Sequence, residues 1–214
     1  MNKDKSDIKD MKNTWTKSNK LEAQPTRVRV KYGIQLENAI AQCLKEHYDY
    51  NLVEVGIVAD TKKKIDRQWI LPDGKVNQVQ IKARMGTSGD DILIDVFEPY
   101  HGDNHPDTKP GRDYKGQYDT YVCLSNDGKE IRVIDGKRQK ELVEELIEEW
   151  RGDGCKFSGR CWESSVYKGV QFRYTTDKWS GTPKVLCFIP PSTYKENEIR
   201  KYEMKSHFIS KGGK

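Results

Sequence analysis

The chain has 214 residues, of which 35% are hydrophobic and 33% charged, and its 5 Trp, 11 Tyr and 5 Phe residues argue against wholesale disorder. No apolar run approaches the roughly 20 residues of a membrane-spanning helix, and the N-terminal residues contain no apolar secretory segment, so we expect neither a membrane partner nor secretion. The formal net charge of +5 conceals an acidic middle, residues 32–151, between two basic flanks.

Apolar residues recur at helical spacing in some segments and at every second residue in others. This pattern favours an α/β (α+β mixed) fold with one central mixed sheet flanked by helices. Residues 1–25 predict a basic flexible arm, residues 26–151 the core, and residues 152–214 a basic, aromatic-rich extension packed on the core. In chain order, the predicted elements are a helix over 33–48, strands over 52–58, 65–71, 76–82 and 92–97, a loop over 98–117, a hairpin over 118–135, a helix over 138–150, strands over 166–174 and 184–189, and a short helix over 195–206.

The charge distribution indicates a kind of binding partner, and the cysteines indicate a cellular setting. Residues 32–151 carry 17 Lys and Arg against 23 Asp and Glu, whereas the flanks 1–31 and 152–214 carry nine against four and 12 against six. This division predicts carboxylates for chemistry in the middle and a polyanion partner at the flanks, although scattered surface charge is an equal alternative. Five scattered cysteines, an odd number, indicate a reduced, cytoplasmic setting.

The strands predicted over 65–71 and 76–82 form a hairpin whose register follows from its turn. The sequence Leu-Pro-Asp-Gly-Lys suits a three-residue loop with Pro72 in a type I turn and Gly74 in the left-handed region. This loop pairs Leu71 with Lys75, which places Asp66 opposite Gln80.

In that register, one face of the hairpin is polar. It collects Asp66, Gln68, Gln78, Gln80 and Lys82, and the other face is mainly apolar, with Arg67 and Asn77 as exceptions. The polar face predicts either a site that combines an acid, an amide and an amine or a solvent-exposed strand face.

Residues 32–151 resemble the PD-(D/E)XK nuclease superfamily, and in particular its branch of small endonucleases with Gln-x-Lys, which includes intron-encoded homing endonucleases. The matches are Gly33 and Glu37 in YGIQLENAIA, Asp66 in KKKIDRQW, Gln80 and Lys82 in VQIKAR, and the following hairpin and helix. The resemblance implies a restriction-endonuclease-like core and a Mg²⁺-dependent DNA endonuclease of homing, restriction or resolvase type, with Mn²⁺ as an alternative ion.

The resemblance also implies a role for each matched residue. Asp66 would be the principal metal ligand, joined by the amide oxygen of Gln80 and the carbonyl of Ile81, and Lys82 would orient the attacking water and offset charge on phosphorus. Glu37 would reach the metal directly or through water, or else it is a carboxylate on the helix surface. Gln80 replaces the second acid of the superfamily, which weakens metal affinity and leaves a non-cleaving nucleic-acid-binding module as the alternative.

Other signals are weaker. The residues Lys62, Lys63, Lys64 and Arg84, beside the motif, are expected to contact DNA phosphates or to be solvated charges. Pairs of potential metal ligands at 101 and 105 and at 155 and 161 are more often a solvated loop and unpaired cysteines. Cleavage of both DNA strands would need a homodimer or higher homo-oligomer, and the homing branch suggests that the chain is phage- or mobile-element-encoded.

Overall fold

The structure is a computed structural model that describes residues 26–56, 65–83, 90–97, 116–153, 164–176, 183–206 and 208. The predicted arm over 1–25 and most of the predicted loop over 98–117 lie outside these residues. Neither of the two helices in the described part is long and apolar enough to cross a membrane.

The described residues form a mixed α/β structure, as the sequence predicts. The elements are α1 (Thr26–His47), β1 (Leu52–Glu54), β2 (Arg67–Ile70), β3 (Val76–Lys82), β4 (Ile92–Phe97), β5 (Thr120–Leu124), β6 (Glu130–Asp135), α2 (Gly136–Gly152), β7 (Ser164–Tyr167), β8 (Val170–Thr176), β9 (Pro183–Ile189), a short 3-10 helix (Pro191–Thr193) and β10 (Ile199–Glu203).

The strands form two sheets. The larger sheet has the order β1-β2-β3-β5-β6-β10, and it is mixed because β3 and β5 run parallel while its other neighbours are antiparallel. The smaller sheet has the order β4-β9-β8-β7 and is antiparallel throughout. The expectation of one central sheet was therefore incomplete, since the strand over 92–97 pairs with the C-terminal extension rather than with the hairpin.

The larger sheet lies between two layers, and each of its faces has its own core. On one face, Leu36, Ile40 and Leu44 of α1 pack with Val79 and Ile81 of β3. On the other face, α2 and the smaller sheet form a second core around buried side chains of β5 and β6. Gln80 and Lys82 alternate with Val79 and Ile81, so they belong to this second face.

Helix α1 begins at Thr26, seven residues before the predicted start at Gly33. Gly33 lies inside the helix, and a Cβ atom placed there would meet no neighbour within 4 Å. A glycine in a helix costs about 1 kcal/mol relative to alanine. Burial of the apolar face that follows, including Leu36 and Ile40, outweighs this cost.

Two C-terminal predictions were wrong. The single strand over 166–174 is a hairpin of β7 and β8, whose turn places Lys168 and Gly169 at φ values of 47° and 79°. The helix predicted over 195–206 is instead β10, which pairs with β6 at the sheet edge and buries Ile199. Its Glu and Lys residues favour a helix locally, but ladder hydrogen bonds and burial against β6 outweigh that preference.

The larger sheet curls around α1. Three strands separate β2 from β10 in the sheet, yet the guanidinium of Arg200 lies 5.8 Å from the ring centre of Trp69. Tyr50 stacks on Trp69 with ring centres 4.3 Å apart, and its hydroxyl lies 2.9 Å from that of Tyr202. The concave face therefore holds α1, while the polar side of the hairpin lies on the opposite face.

Candidate active site

The β2–β3 hairpin has the register that its turn predicts. Arg67 pairs with Val79 and Gln68 with Gln78 in an antiparallel ladder. At the turn, the amide of Leu71 donates to the carbonyl of Lys75 over 2.8 Å, and Gly74 has a φ of 83°. The turn chemistry therefore decides which side chains share a face.

Asp66 leaves the ladder just before β2 begins, and this departure brings its carboxylate onto β3. Its amide donates to the carbonyl of Val79 over 2.8 Å, one residue off the register that β2 follows. Its Oδ2 atom accepts two hydrogen bonds of 2.6 Å, from Gln80 Nε2 and from the backbone amide of Ile81. The carboxylate thus replaces the strand carbonyl that would otherwise pair with Ile81.

Gln80 presents a buried oxygen acceptor beside this carboxylate. Its side chain is 2% exposed, and in the described part of the chain its Oε1 atom has no hydrogen-bond partner. Because the ionised carboxylate of Asp66 only accepts hydrogen bonds, the Gln80 amide must turn its nitrogen toward it and its oxygen away. An unsatisfied buried acceptor costs about 1–3 kcal/mol, so this position favours a cation or another donor at Oε1.

The backbone of Ile81 adds a second oxygen at the same place. In an antiparallel ladder, the N–H and C=O groups of one residue point toward the same neighbouring strand. The Ile81 amide bonds to Asp66, so its carbonyl is directed to the same side, next to the point where β2 begins. The Asp66 carboxylate, the Gln80 side-chain amide and the Ile81 backbone are therefore neighbours, and their oxygen atoms are of the kinds that a hard cation takes as ligands.

Arg67 connects the backbone of Asp66 to helix α1 through hydrogen bonds. Its Nη1 atom donates to the carbonyl of Asp66 over 2.6 Å, its Nη2 atom donates to Asn38 Oδ1, and its side chain is 17% exposed. The same Nη2 atom lies 3.8 Å from Glu54 Oε1. Sequence reasoning missed this contact, although the signal was present: Arg67 is a cation on the mainly apolar side of the hairpin.

The other two predicted catalytic residues lie on the expected elements. Glu37 is half-buried on α1, adjacent in sequence to the Asn38 that Arg67 holds. Lys82 is half-buried on β3, on the same face as Gln80 and two residues further along. The residues Lys62, Lys63, Lys64, Arg84, His101, His105, Cys155 and Cys161 lie outside the described residues.

Beyond Lys82, this face continues across the sheet through one buried cysteine to two basic side chains. Cys123, Arg132 and Lys201 follow Lys82 as successive cross-strand partners. Arg132 is 4% exposed, and although burial lowers its pKa, hydrogen bonds to Asp90 and Glu130 outweigh that effect and raise it. Arg132 is therefore ion-paired with Asp90 and Glu130, and all three residues line an open cavity of about 850 Å³.

The acidic content of the candidate site is low. Among the described residues, no group of three or more His, Cys, Asp or Glu side chains could hold a metal ion. The predicted ligand set contains two carboxylates, Asp66 and Glu37, and takes its other oxygens from an amide and a backbone carbonyl. Comparisons with protein-family models, with curated proteins and with solved structures found no match to this chain.

Proposed function

We propose that the chain is a metal-dependent DNA endonuclease that hydrolyses phosphodiester bonds. The observation that carries the proposal is the contact of Asp66 with Gln80 and Ile81, beside a buried Gln80 Oε1 that accepts no hydrogen bond within the described residues. Hydrolysis of a phosphodiester needs a hard cation near the phosphoryl oxygen and a group that stabilises the developing negative charge.

The residues at this position fit a divalent cation such as Mg²⁺ or Mn²⁺. Asp66 would supply a charged ligand, and Gln80 Oε1 and the Ile81 carbonyl would supply neutral oxygens. Glu37 lies on α1, which packs on the opposite face of the sheet from Gln80, so it would join this set through water. Such a cation polarises the phosphoryl oxygen and lowers the pKa of a bound water. With two carboxylates the site carries −2, which favours modest affinity and a dependence on millimolar metal.

The remaining chemistry falls to the chain's own side chains. In hydrolysis, a water oxygen bonds to phosphorus, one P–O ester bond breaks, and the departing oxygen takes up a proton. Lys82, on the face of Gln80, would hold the attacking water and offset the charge that develops on phosphorus. The Arg67 bonds to Asp66 and to α1 would keep the acid in place during this step.

The order of elements also supports the proposal. A helix with Glu37, a strand that Asp66 precedes, a strand with Gln80 and Lys82, and a later hairpin and helix follow one another as the resemblance to PD-(D/E)XK nucleases requires. The mixed larger sheet between two layers is compatible with a restriction-endonuclease-like core. The basic flanks, together with Lys62, Lys63, Lys64 and Arg84, would contact the phosphates of a DNA duplex.

Two further parts of the proposal concern assembly and setting. One site cuts one strand, so cleavage of both strands would use a homodimer or a higher homo-oligomer. The three described cysteines, Cys43, Cys123 and Cys187, are buried and form no disulfide with one another. Buried thiols suit a reducing cytoplasm. The homing branch of the resembled superfamily would make the chain phage- or mobile-element-encoded.

The alternative is a nucleic-acid-binding module on the same fold that does not cleave. One observation favours it: in the described contacts, a single carboxylate, that of Asp66, meets Gln80, and this position is an acid in most of the superfamily. A buried water donating to Gln80 Oε1 would satisfy that atom without a cation. Binding without metal-dependent cleavage would select this alternative.

Incubation with supercoiled plasmid separates the two functions. We expect nicking with Mg²⁺, none with EDTA, and none for Asp66→Asn, which keeps a hydrogen-bond acceptor for Ile81 but loses the charge. Asp49→Asn is the matched control, because Asp49 is exposed and its φ of 57° suits asparagine. Nicking by Asp66→Asn at the wild-type rate would remove the site from the proposal, and absence of nicking by the wild type would leave the binding module.

A further inference from the structure

The end of the β2–β3 hairpin projects beyond its neighbours in the larger sheet. The ladder with β1 ends at Trp69, and the ladder with β5 begins at Val79. Beyond these ladders, one further bond joins Ile70 to Asn51, and two bonds join the backbone of Gln78 to Asp119. Residues 71–77 therefore extend past the described parts of both neighbouring strands as a two-stranded ribbon, and most of them are exposed.

Three side-chain pairs follow one another on the site face of this ribbon. Asp66 and Gln80 form the first, and Gln68 and Gln78 form the second, with Gln68 Nε2 at 3.4 Å from Gln78 Oε1. The third is an apolar cross-strand pair, Ile70 and Val76, which are 37% and 45% exposed. These two apolar side chains lie side by side at the projecting tip, where they are accessible to another molecule.

The second pair presents hydrogen-bonding groups of both kinds. Within the described part of the chain, Gln68 Oε1 and Gln78 Nε2 make no further hydrogen bond, so an acceptor and a donor lie side by side. Neither amide carries a charge, which suits base edges better than phosphates. In the major groove, adenine offers a donor and an acceptor in this arrangement, and thymine offers a methyl group to apolar side chains.

The spacing of the pairs matches a duplex that passes over the candidate site. Strand residues on one face recur about every 7 Å, so the second and third pairs lie about 7 and 14 Å from the first. These distances correspond to about two and four base-pair steps of 3.4 Å. The major groove is wide enough to admit a two-stranded β-ribbon.

We propose that the β2–β3 hairpin reads DNA sequence in the major groove, with Gln68 and Gln78 bonding to base edges and Ile70 and Val76 contacting thymine methyl groups. The inference rests on the proposed function, because it needs a DNA backbone at Asp66 and Gln80. It goes beyond that function by assigning the residues that determine specificity.

Selection from a pool of duplexes with a randomised centre tests the assignment. The pool is bound in EDTA, so that cleavage removes no duplex, and the retained sequences are determined for the wild type and for Gln68→Met/Gln78→Met. Methionine keeps side-chain length but makes no hydrogen bond. Gln171→Met is the matched control, a half-buried glutamine on β8 of the smaller sheet. Ile70→Ser/Val76→Ser removes the methyl groups of the apolar pair and carries the test if the double methionine variant fails to fold.

We expect the wild type and Gln171→Met to enrich one motif. The double methionine variant should lose the preference at one or two adjacent positions, and its affinity for the best sequence should fall about 5- to 100-fold. Affinity for unrelated sequences should change less than about twofold, because phosphate contacts dominate it. An unchanged motif in both double variants, or no enriched motif in the wild type, would overturn the inference.

Plasmid nicking by the same preparations separates this inference from the proposed function. If the wild type nicks in Mg²⁺ but enriches no motif, the proposed nuclease function stands and the hairpin does not read DNA sequence. A wild type that enriches a motif, loses it in the double methionine variant and never nicks has the reading element but not the cleavage.

Discussion

The substitution Gln80→Glu tests whether the buried oxygen acceptor at this position faces a cation. Gln80 donates to Asp66 over 2.6 Å and is 2% exposed, so the variant places two carboxylates in contact within a buried site. Without a cation, these groups repel each other, and the hydrogen bond between them is lost unless they share a proton. With a cation between them, the second carboxylate becomes an additional charged ligand.

The magnitude follows from the contact distance. Two charges about 4 Å apart repel by about 4 kcal/mol at an effective dielectric constant of 20, and the lost charge-assisted hydrogen bond adds about 1.5–3 kcal/mol. Uptake of a proton recovers part of this, because it removes one charge. We expect a net loss of about 2–4 kcal/mol in the free energy of unfolding at pH 7.5, which lowers Tm by roughly 5–15 °C in a chain of this size.

The sign of the pH dependence follows from the paired carboxyl groups. Their repulsion raises the pKa of one of them in the folded state, so the variant is penalised most above that pKa. The deficit relative to the wild type should shrink as the pH falls toward 4. Thermal unfolding followed by circular dichroism at pH 4 and pH 7.5, in EDTA and in Mg²⁺, measures both effects.

In Mg²⁺, we expect Gln80→Glu to gain more stability than the wild type does, because a carboxylate binds a hard cation better than an amide does. Its nicking should need less Mg²⁺ for the half-maximal rate. Gln117→Glu, at an exposed position, is the control for an added charge. Two results would refute the reasoning. One is a Gln80→Glu variant that is as stable as the wild type in EDTA, and the other is an equal rise in Tm on addition of Mg²⁺ for the variant and the wild type.

Three other predictions concern positions away from Gln80. Arg67→Met should lower the free energy of unfolding, measured in urea, by about 2 kcal/mol. Arg67→Lys should not restore it, because lysine lacks the planar guanidinium that bonds to Asp66 and to α1 at once. An equal loss of stability in Arg200→Met would contradict this. The pKa of Glu198 is lowered by the backbone N–H of Lys195 and by the Arg138 side chain, so Glu198→Gln should destabilise the fold at pH 7 and lose that effect below about pH 4, as the wild-type carboxyl protonates. A deficit that persists at pH 3 would show another cause. Deletion of residues 1–20 should make the slope of log K against log salt shallower for DNA binding, and an unchanged slope would show that this segment touches no phosphate.

The sequence was most informative where local chemistry is decisive. The Leu-Pro-Asp-Gly-Lys turn determines the register of the hairpin, and this register predicts Asp66 beside Gln80 from 20 residues of sequence. The departure of Asp66 from the ladder, which turns its carboxylate onto β3, was not predicted. Helix α2 was also predictable, because its apolar residues recur at helical spacing and bury one face.

The remainder depends on contacts between residues far apart in sequence. The residues of β10 have helix-forming side chains, and only the free edge of β6 makes them a strand. The alternation in β4 predicts a strand but not its partner, β9, which lies about 90 residues away. The bonds of Arg67 depend on the approach of α1 across the sheet, and no spacing along the chain encodes that approach.

The most direct measurement of the proposed site is a Mg²⁺ titration of ¹⁵N-labelled protein followed by NMR. The backbone amide of Ile81 and the side-chain amide of Gln80 both bond to Asp66 Oδ2, so both nitrogens report on a cation bound at this carboxylate. We predict saturable shifts of these two resonances in the wild type and in Asp49→Asn, and none in Asp66→Asn. Resonances that stay unchanged while Mg²⁺ supports nicking by the wild type would contradict a cation at Asp66 and Gln80.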